Sequence, residues 1–123
     1  MRRYRAHTVL VVENDGPLRR LVAAVLHKAG YRVLSASSGK DAVAAAGRER
    51  GRIELLVTDI VMPGMGGAEL CTWLKTERPD LRVLFISGLM SREPLEGAFL
   101  KKPFTPGALL EKVRTVLADS AAA

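Results

Sequence analysis

Short apolar runs alternate with helical patterns five times along this chain, and that alternation is the mark of βαβ units around a parallel sheet. The first unit is the clearest. Residues Thr8–Val12 read as a buried strand, because mostly β-branched residues run continuously instead of alternating with polar ones. Leu18, Leu21, Val22, Val25 and Leu26 then recur at helical spacing, with Arg19, Arg20 and Lys28 off that stripe and Gly30 as the stop. Residues 31–36 make a second strand. Ser38, with Asp41 three residues later, resembles a capping box that opens an Ala-rich helix over 39–46. The third strand is 54–59, followed by a Gly- and Pro-rich loop and a helix over 68–77 with Leu70 and Leu74 inward. Residues 82–87 and 98–101 are the fourth and fifth strands. The last helix, 106–118, places Leu109, Leu110, Val113, Val116 and Leu117 on one stripe. Between Ser87 and Phe99 the pattern degrades, since Pro94 and Gly97 leave room for one or two helical turns, so a shortened fourth helix is expected.

A chain of 123 residues, 48% hydrophobic and 26% charged, suits one soluble globular domain. The expected division is a basic extension over 1–7, a folded unit over 8–119 and a frayed tail over 120–123. The apolar runs, such as 9–12 and 83–86, fall far short of the roughly 20 residues that span a bilayer. The basic N-terminus is followed by no apolar signal-peptide core, so a cytoplasmic protein is expected. Cys71, the single cysteine, reads as a small packed hydrophobe. A net charge of +6, with arginines at 2, 3, 5, 48, 50 and 52, could attract an acidic partner. No nucleic-acid motif accompanies them, and they read as a solvated face with no direct nucleic-acid binding. His7 and His27 have no neighbouring partners in sequence and read as surface or packing residues.

In an open α/β sheet the ligand crevice forms at the carboxyl ends of the strands. Strand 1 ends in Glu13-Asn14-Asp15, strand 3 in Asp59, strand 4 in Ser87-Gly88 and strand 5 in Lys101-Lys102-Pro103. Singly, each has a plain structural reading as a helix cap, a turn or a solvated lysine. All four on one edge would bring acids, a hydroxyl and an amine together. Carboxylates so close repel each other unless a cation joins them, and magnesium, which prefers oxygen ligands, suits that place. Asp59 could then attack a phosphoryl group, with Lys102 and Ser87 contacting its oxygens.

The stretches Val-Leu-Val-Val-Glu-Asn-Asp, Leu-Leu-Val-Thr-Asp-Ile-Val-Met-Pro-Gly-Met-Gly-Gly, Phe-Ile-Ser-Gly and Phe-Leu-Lys-Lys-Pro-Phe resemble the receiver domain of two-component response regulators, over about residues 8–117. The resemblance implies a flavodoxin-like (βα)5 three-layer sandwich with a parallel sheet in the order 2-1-3-4-5. It implies Asp59 as phosphoacceptor, Glu13 and Asn14 at the acidic-pair positions, Ser87 as switch hydroxyl, Phe99 as switch aromatic and Lys102 as the lysine before a cis proline. It also implies magnesium held by Glu13, Asn14, Asp59 and the backbone carbonyl of Val61. The phosphoryl donor would be a sensor histidine kinase or phosphotransfer protein, and the output a phosphorylation-dependent surface for a downstream protein. Such a domain is a signalling module and not an enzyme with turnover, and a monomer or weak dimer is expected. It would be free-standing or belong to a hybrid kinase.

Three departures stand out. Asn14 replaces the aspartate that binds metal directly in the family, and its neutral amide oxygen is a weaker ligand, so reduced magnesium affinity is expected. Gly66 replaces an acidic residue common in that loop. The stretch from Ser87 to Phe99 is short by about two helical turns, which draws the usual helix 4, strand 5, helix 5 dimer face into question. Asn14 also motivates a rival reading, a receiver-like module that binds partners without phosphorylation. A metal-dependent phosphatase would carry a second aspartate two residues after Asp59, where this chain has Val61. Flavin binding is disfavoured because Glu-Asn-Asp after strand 1 would repel a phosphate.

Overall fold

Both faces of β1, Thr8–Val12, are covered, and this decides the architecture. Odd and even side chains of a strand point to opposite faces. Val9 and Val11 join one apolar cluster with Val22, Leu26, Leu109 and Val113. Leu10 and Val12 join another with Ala42, Ala46, Leu70 and Leu74. The computed structural model describes residues 6–88 and 97–121. It is a sheet sandwiched between two helical layers: α1 (Gly16–Lys28) and α4 (Pro106–Ala121) on one side, α2 (Gly39–Arg48) and α3 (Gly67–Glu77) on the other.

The five strands β1, β2 (Arg32–Ala36), β3 (Leu55–Asp59), β4 (Arg82–Ser87) and β5 (Ala98–Lys101) lie in the order β2-β1-β3-β4-β5, and every pairing is parallel. This is the expected order. Central strands β1 and β3 are buried throughout, whereas edge strand β5 alternates between half-buried and exposed residues. Element ends differ from the sequence reading by a few residues. Helix α1 starts at Gly16, two residues early, because Asp15 accepts from the Leu18 N–H at 3.1 Å and Pro17 tolerates the first turn. The capping box of α2 forms by half. Ser38 accepts from the Asp41 N–H at 3.1 Å, but the Asp41 carboxylate takes the Ser37 hydroxyl at 3.0 Å.

Only ten residues, 88–97, separate parallel neighbours β4 and β5. The shortened fourth helix expected there lies outside the described residues. At its end Gly97 adopts φ +124°, and a Cβ on it would meet Val83 Cγ1 at 2.8 Å, so glycine lets the chain close onto β4. Cys71 is buried, as read from sequence, and both histidines are exposed. Among the described residues no helix is long and apolar enough to cross a membrane.

Candidate functional site

Strand register carries the acids to one another. Val12 pairs with Thr58, so the next residues on β1 and β3, Glu13 and Asp59, leave the sheet side by side. Asp59 pairs with Ile86, and Ser87 pairs with Lys101, which sets Ser87 and Lys102 progressively further along the same edge. The Lys102 N–H donates to the Ser87 carbonyl at 2.8 Å. From there the Lys102 stem passes Gly88, whose Cβ would lie 3.8 Å from its Cδ, and crosses the end of β4.

Lys102 Nζ ends 2.7 Å from Glu13 Oε1 and 2.9 Å from Asp59 Oδ2. Glu13 is fully buried and Asp59 is 9% exposed, so both bonds form in partly dehydrated surroundings. Charge-assisted hydrogen bonds are at their strongest there. Burial alone would pull the Lys102 ammonium below its usual pKa. Hydrogen bonds and charge from Glu13 and Asp59 outweigh that penalty and hold it above. The second oxygens are also held: Glu13 Oε2 accepts the Asp15 N–H at 3.0 Å, and Asp59 Oδ1 accepts the Val61 N–H at 3.3 Å.

The other expected residues fall around this trio. Ser87 is buried beside it at the end of β4, and Asn14 is exposed on the β1–α1 loop. The Lys102–Pro103 peptide is cis, as the resemblance implied. Phe99 stands outside the trio on β5, 38% exposed, with its ring tilted against Phe85 at a centroid distance of 5.5 Å. Asp15 spends its carboxylate on the α1 N-cap.

Sequence reasoning missed two residues. Arg19 lay off the apolar stripe, yet its guanidinium turns in to donate to the Glu13 carbonyl at 2.7 Å. Gly67 opens α3 so close to Asp59 that an added Cβ would overlap the Asp59 carbonyl oxygen at 2.2 Å. Its N–H donates to the Ile60 carbonyl at 2.8 Å, locking the turn after Asp59. The Gly66-Gly67 pair was the available signal.

The donors gathered here are oxygens, which suits a hard cation. Two carboxylates against one ammonium leave a formal charge of −1 at the trio. Among the described residues no group of three or more His, Cys, Asp and Glu side chains forms a metal cluster. That agrees with the amide at Asn14 and the capping duty of Asp15. Carboxylate oxygens of this kind suit magnesium, which takes one or two carboxylates and keeps several waters.

Comparison with known proteins agrees with this fold. Residues 9–114 match the family model for the response regulator receiver domain. The response regulator receiver protein CpdR of Brucella abortus is 34% identical over 116 residues, covering 89% of this chain and 95% of CpdR. The sensor kinase CckA of the same organism is 32% identical over a stretch that is 89% of this chain and 12% of the kinase. Among solved structures, the receiver domain of the hybrid histidine kinase CckA is 34% identical with a TM-score of 0.80, covering 89% of this chain and 98% of that one. The chemotaxis protein CheY4 of Vibrio cholerae is 27% identical with a TM-score of 0.83, covering 91% and 99%. With its sheet order, its lysine-bridged acid pair and this match over most of its length, the chain belongs to the response regulator receiver domain family.

Proposed function

We propose that residues 8–119 form a phosphoacceptor unit that takes a phosphoryl group onto Asp59 from the phosphohistidine of a sensor histidine kinase or phosphotransfer protein. The observation that carries this reading is the single ammonium of Lys102 bonded to both Glu13 and Asp59. An Asp59 carboxylate oxygen attacks phosphorus, the P–N bond to the donor imidazole breaks, and the imidazole keeps the electron pair. Lys102 then moves its hydrogen bond from the Asp59 carboxylate to a phosphoryl oxygen, matching charge where it accumulates. Ser87, buried one register step beyond, donates its hydroxyl to a second phosphoryl oxygen. Magnesium, when bound at Glu13, Asn14, Asp59 and the Val61 carbonyl, supplies further positive charge to the phosphoryl oxygens.

Binding energy between the Ser87 hydroxyl and the phosphoryl group biases the fold towards one of two arrangements, and Phe99 on the edge strand is the aromatic that follows it. The output is a changed contact surface for a downstream protein, in a cytoplasmic monomer or weak dimer. The relatives include both a stand-alone receiver protein and a sensor kinase, so either setting suits this domain.

Exposure to acetyl phosphate with magnesium, followed by intact-mass measurement, tests the reading. A phosphoryl adduct on the wild-type chain that disappears in Asp59→Asn is the expected result. No adduct at any magnesium concentration overturns it in favour of a module that works unphosphorylated. Replacing the neutral ligand, Asn14→Asp, raises magnesium affinity, and a calorimetric titration with no gain would refute that role for residue 14.

A further inference from the structure

Arg19 sits on the second turn of α1, where its own N–H donates to the Asp15 carbonyl at 2.9 Å. Its side chain reaches back past the helix start to the Glu13 carbonyl, at 2.7 Å. That distance is at the short end for N–H···O and fits a charge-assisted bond. Among the described residues no carboxylate forms an ion pair with Arg19, so its charge is directed at this carbonyl.

Glu13 is thereby gripped at three points: Oε1 by Lys102, Oε2 by the Asp15 N–H, and the main-chain oxygen by Arg19. A trans peptide is planar, with C=O and N–H pointing in opposite directions. Holding the Glu13 carbonyl therefore fixes the plane that leads into Asn14. A charged ligand finds a cation by its own attraction. A neutral amide gains less from the cation, so its placement depends more on the backbone that carries it. Glu13 is fully buried, so its carbonyl needs a protein donor, and Arg19 supplies it.

We infer that Arg19 is a positioning residue for the acidic loop, orienting Glu13 and Asn14 towards the phosphoacceptor site, which rests on the phosphoryl-transfer reading above. Partners that orient a metal ligand from behind typically set affinity or activity by about ten- to a hundredfold.

The experiment compares the wild-type chain with Arg19→Leu and Arg19→Lys, the latter keeping a cationic donor. Amide hydrogen exchange at Asp15 is read by NMR, magnesium affinity by calorimetry, and global stability by urea unfolding. In Arg19→Leu, Asp15 exchange accelerates and magnesium affinity falls by about tenfold; Arg19→Lys recovers most of both. Unchanged exchange in Arg19→Leu overturns the inference, as does a loss of affinity that Arg19→Lys leaves unrepaired at equal stability. If the wild-type chain binds no magnesium and forms no adduct, the phosphoryl-transfer reading fails, and Asp15 exchange still decides whether Arg19 holds the loop.

Discussion

The two ends of the central sheet handle charge in opposite ways. At the amino end, several charged groups pair singly or bond to backbone. Arg32 pairs with Glu49 at 2.8 Å, and buried Glu54 accepts the Thr8 N–H at 2.7 Å. Arg78 closes the C-terminal end of α2 by donating to the carbonyls of Ala46, Glu49 and Gly51 at 2.8 to 3.0 Å. At the carboxyl end, two acids share one ammonium and a negative charge is left over. Charges paired in this way have little left for a further ion. The surplus negative charge at the carboxyl end suits a cation.

Removing the shared ammonium breaks this contrast most severely. Lys102→Met leaves Glu13 and Asp59 adjacent, largely dehydrated and facing each other without a counter-charge. Breaking a buried pair costs about 3–5 kcal/mol, and the 23% exposure of the Lys102 side chain puts this case at the lower end, about 3 kcal/mol. Magnesium should then restore a large part of that loss, because the dication takes over the neutralising role. Urea unfolding with and without magnesium measures both effects. A variant as stable as wild type, or one indifferent to magnesium, would mean that the two acids do not depend on Lys102.

The amino end provides the counter-test, with a smaller effect. Arg78→Met strips three carbonyls of their donor, and water can replace it at the exposed rim, so the cost is about 2 kcal/mol. Phosphoryl uptake by Asp59 should persist at conditions where the variant is folded. If uptake from acetyl phosphate instead fell with Arg78→Met in the folded state, the division of labour between the two ends would be wrong.

How much of this was legible in sequence follows from the range of each interaction. The strand runs, the helix stripe of α1 and the resemblance motifs are local patterns, and they placed β1, β4 and β5 at their observed limits. Glu13, Asp59 and Lys102 were legible as strand ends, since parallel register gathers strand ends on one edge. Arg19 was not, because periodicity assigns a helix face but cannot say that a long polar side chain will fold back over the helix start. Arg78 escaped for a similar reason: its partners lie 27 to 32 residues away. The role of Asp15 was open in sequence, and capping geometry settled it, as the carboxylate meets the Leu18 N–H.

The smallest expected effect separates the two ends by pH. A hydrogen bond from Arg32, foremost, together with its charge, holds the Glu49 carboxyl below its usual pKa despite the opposing pull of burial. A carboxylate whose folded pKa is depressed stabilises the fold above its unfolded value, about 4.3, and loses that contribution as pH falls through the folded value. Lys102 behaves with the opposite sign. Its pKa is raised on balance in the fold, so its contribution is complete below the unfolded value of about 10.4 and disappears as pH climbs through the folded one. Acid therefore weakens the Arg32–Glu49 pair at the amino end, and alkali weakens the Lys102 bridge at the site end. The check is the difference between wild-type and variant stability across pH, which cancels the other titrating groups. For Glu49→Gln the difference should shrink towards zero on the acid limb, and for Lys102→Met it should shrink as pH climbs through the alkaline limb. Because the Arg32 side chain is about half exposed, the acid-limb difference is small and shrinks further in salt. An acid-limb difference for Glu49→Gln that stayed constant down through the carboxylate range would show that this pair contributes nothing that titrates.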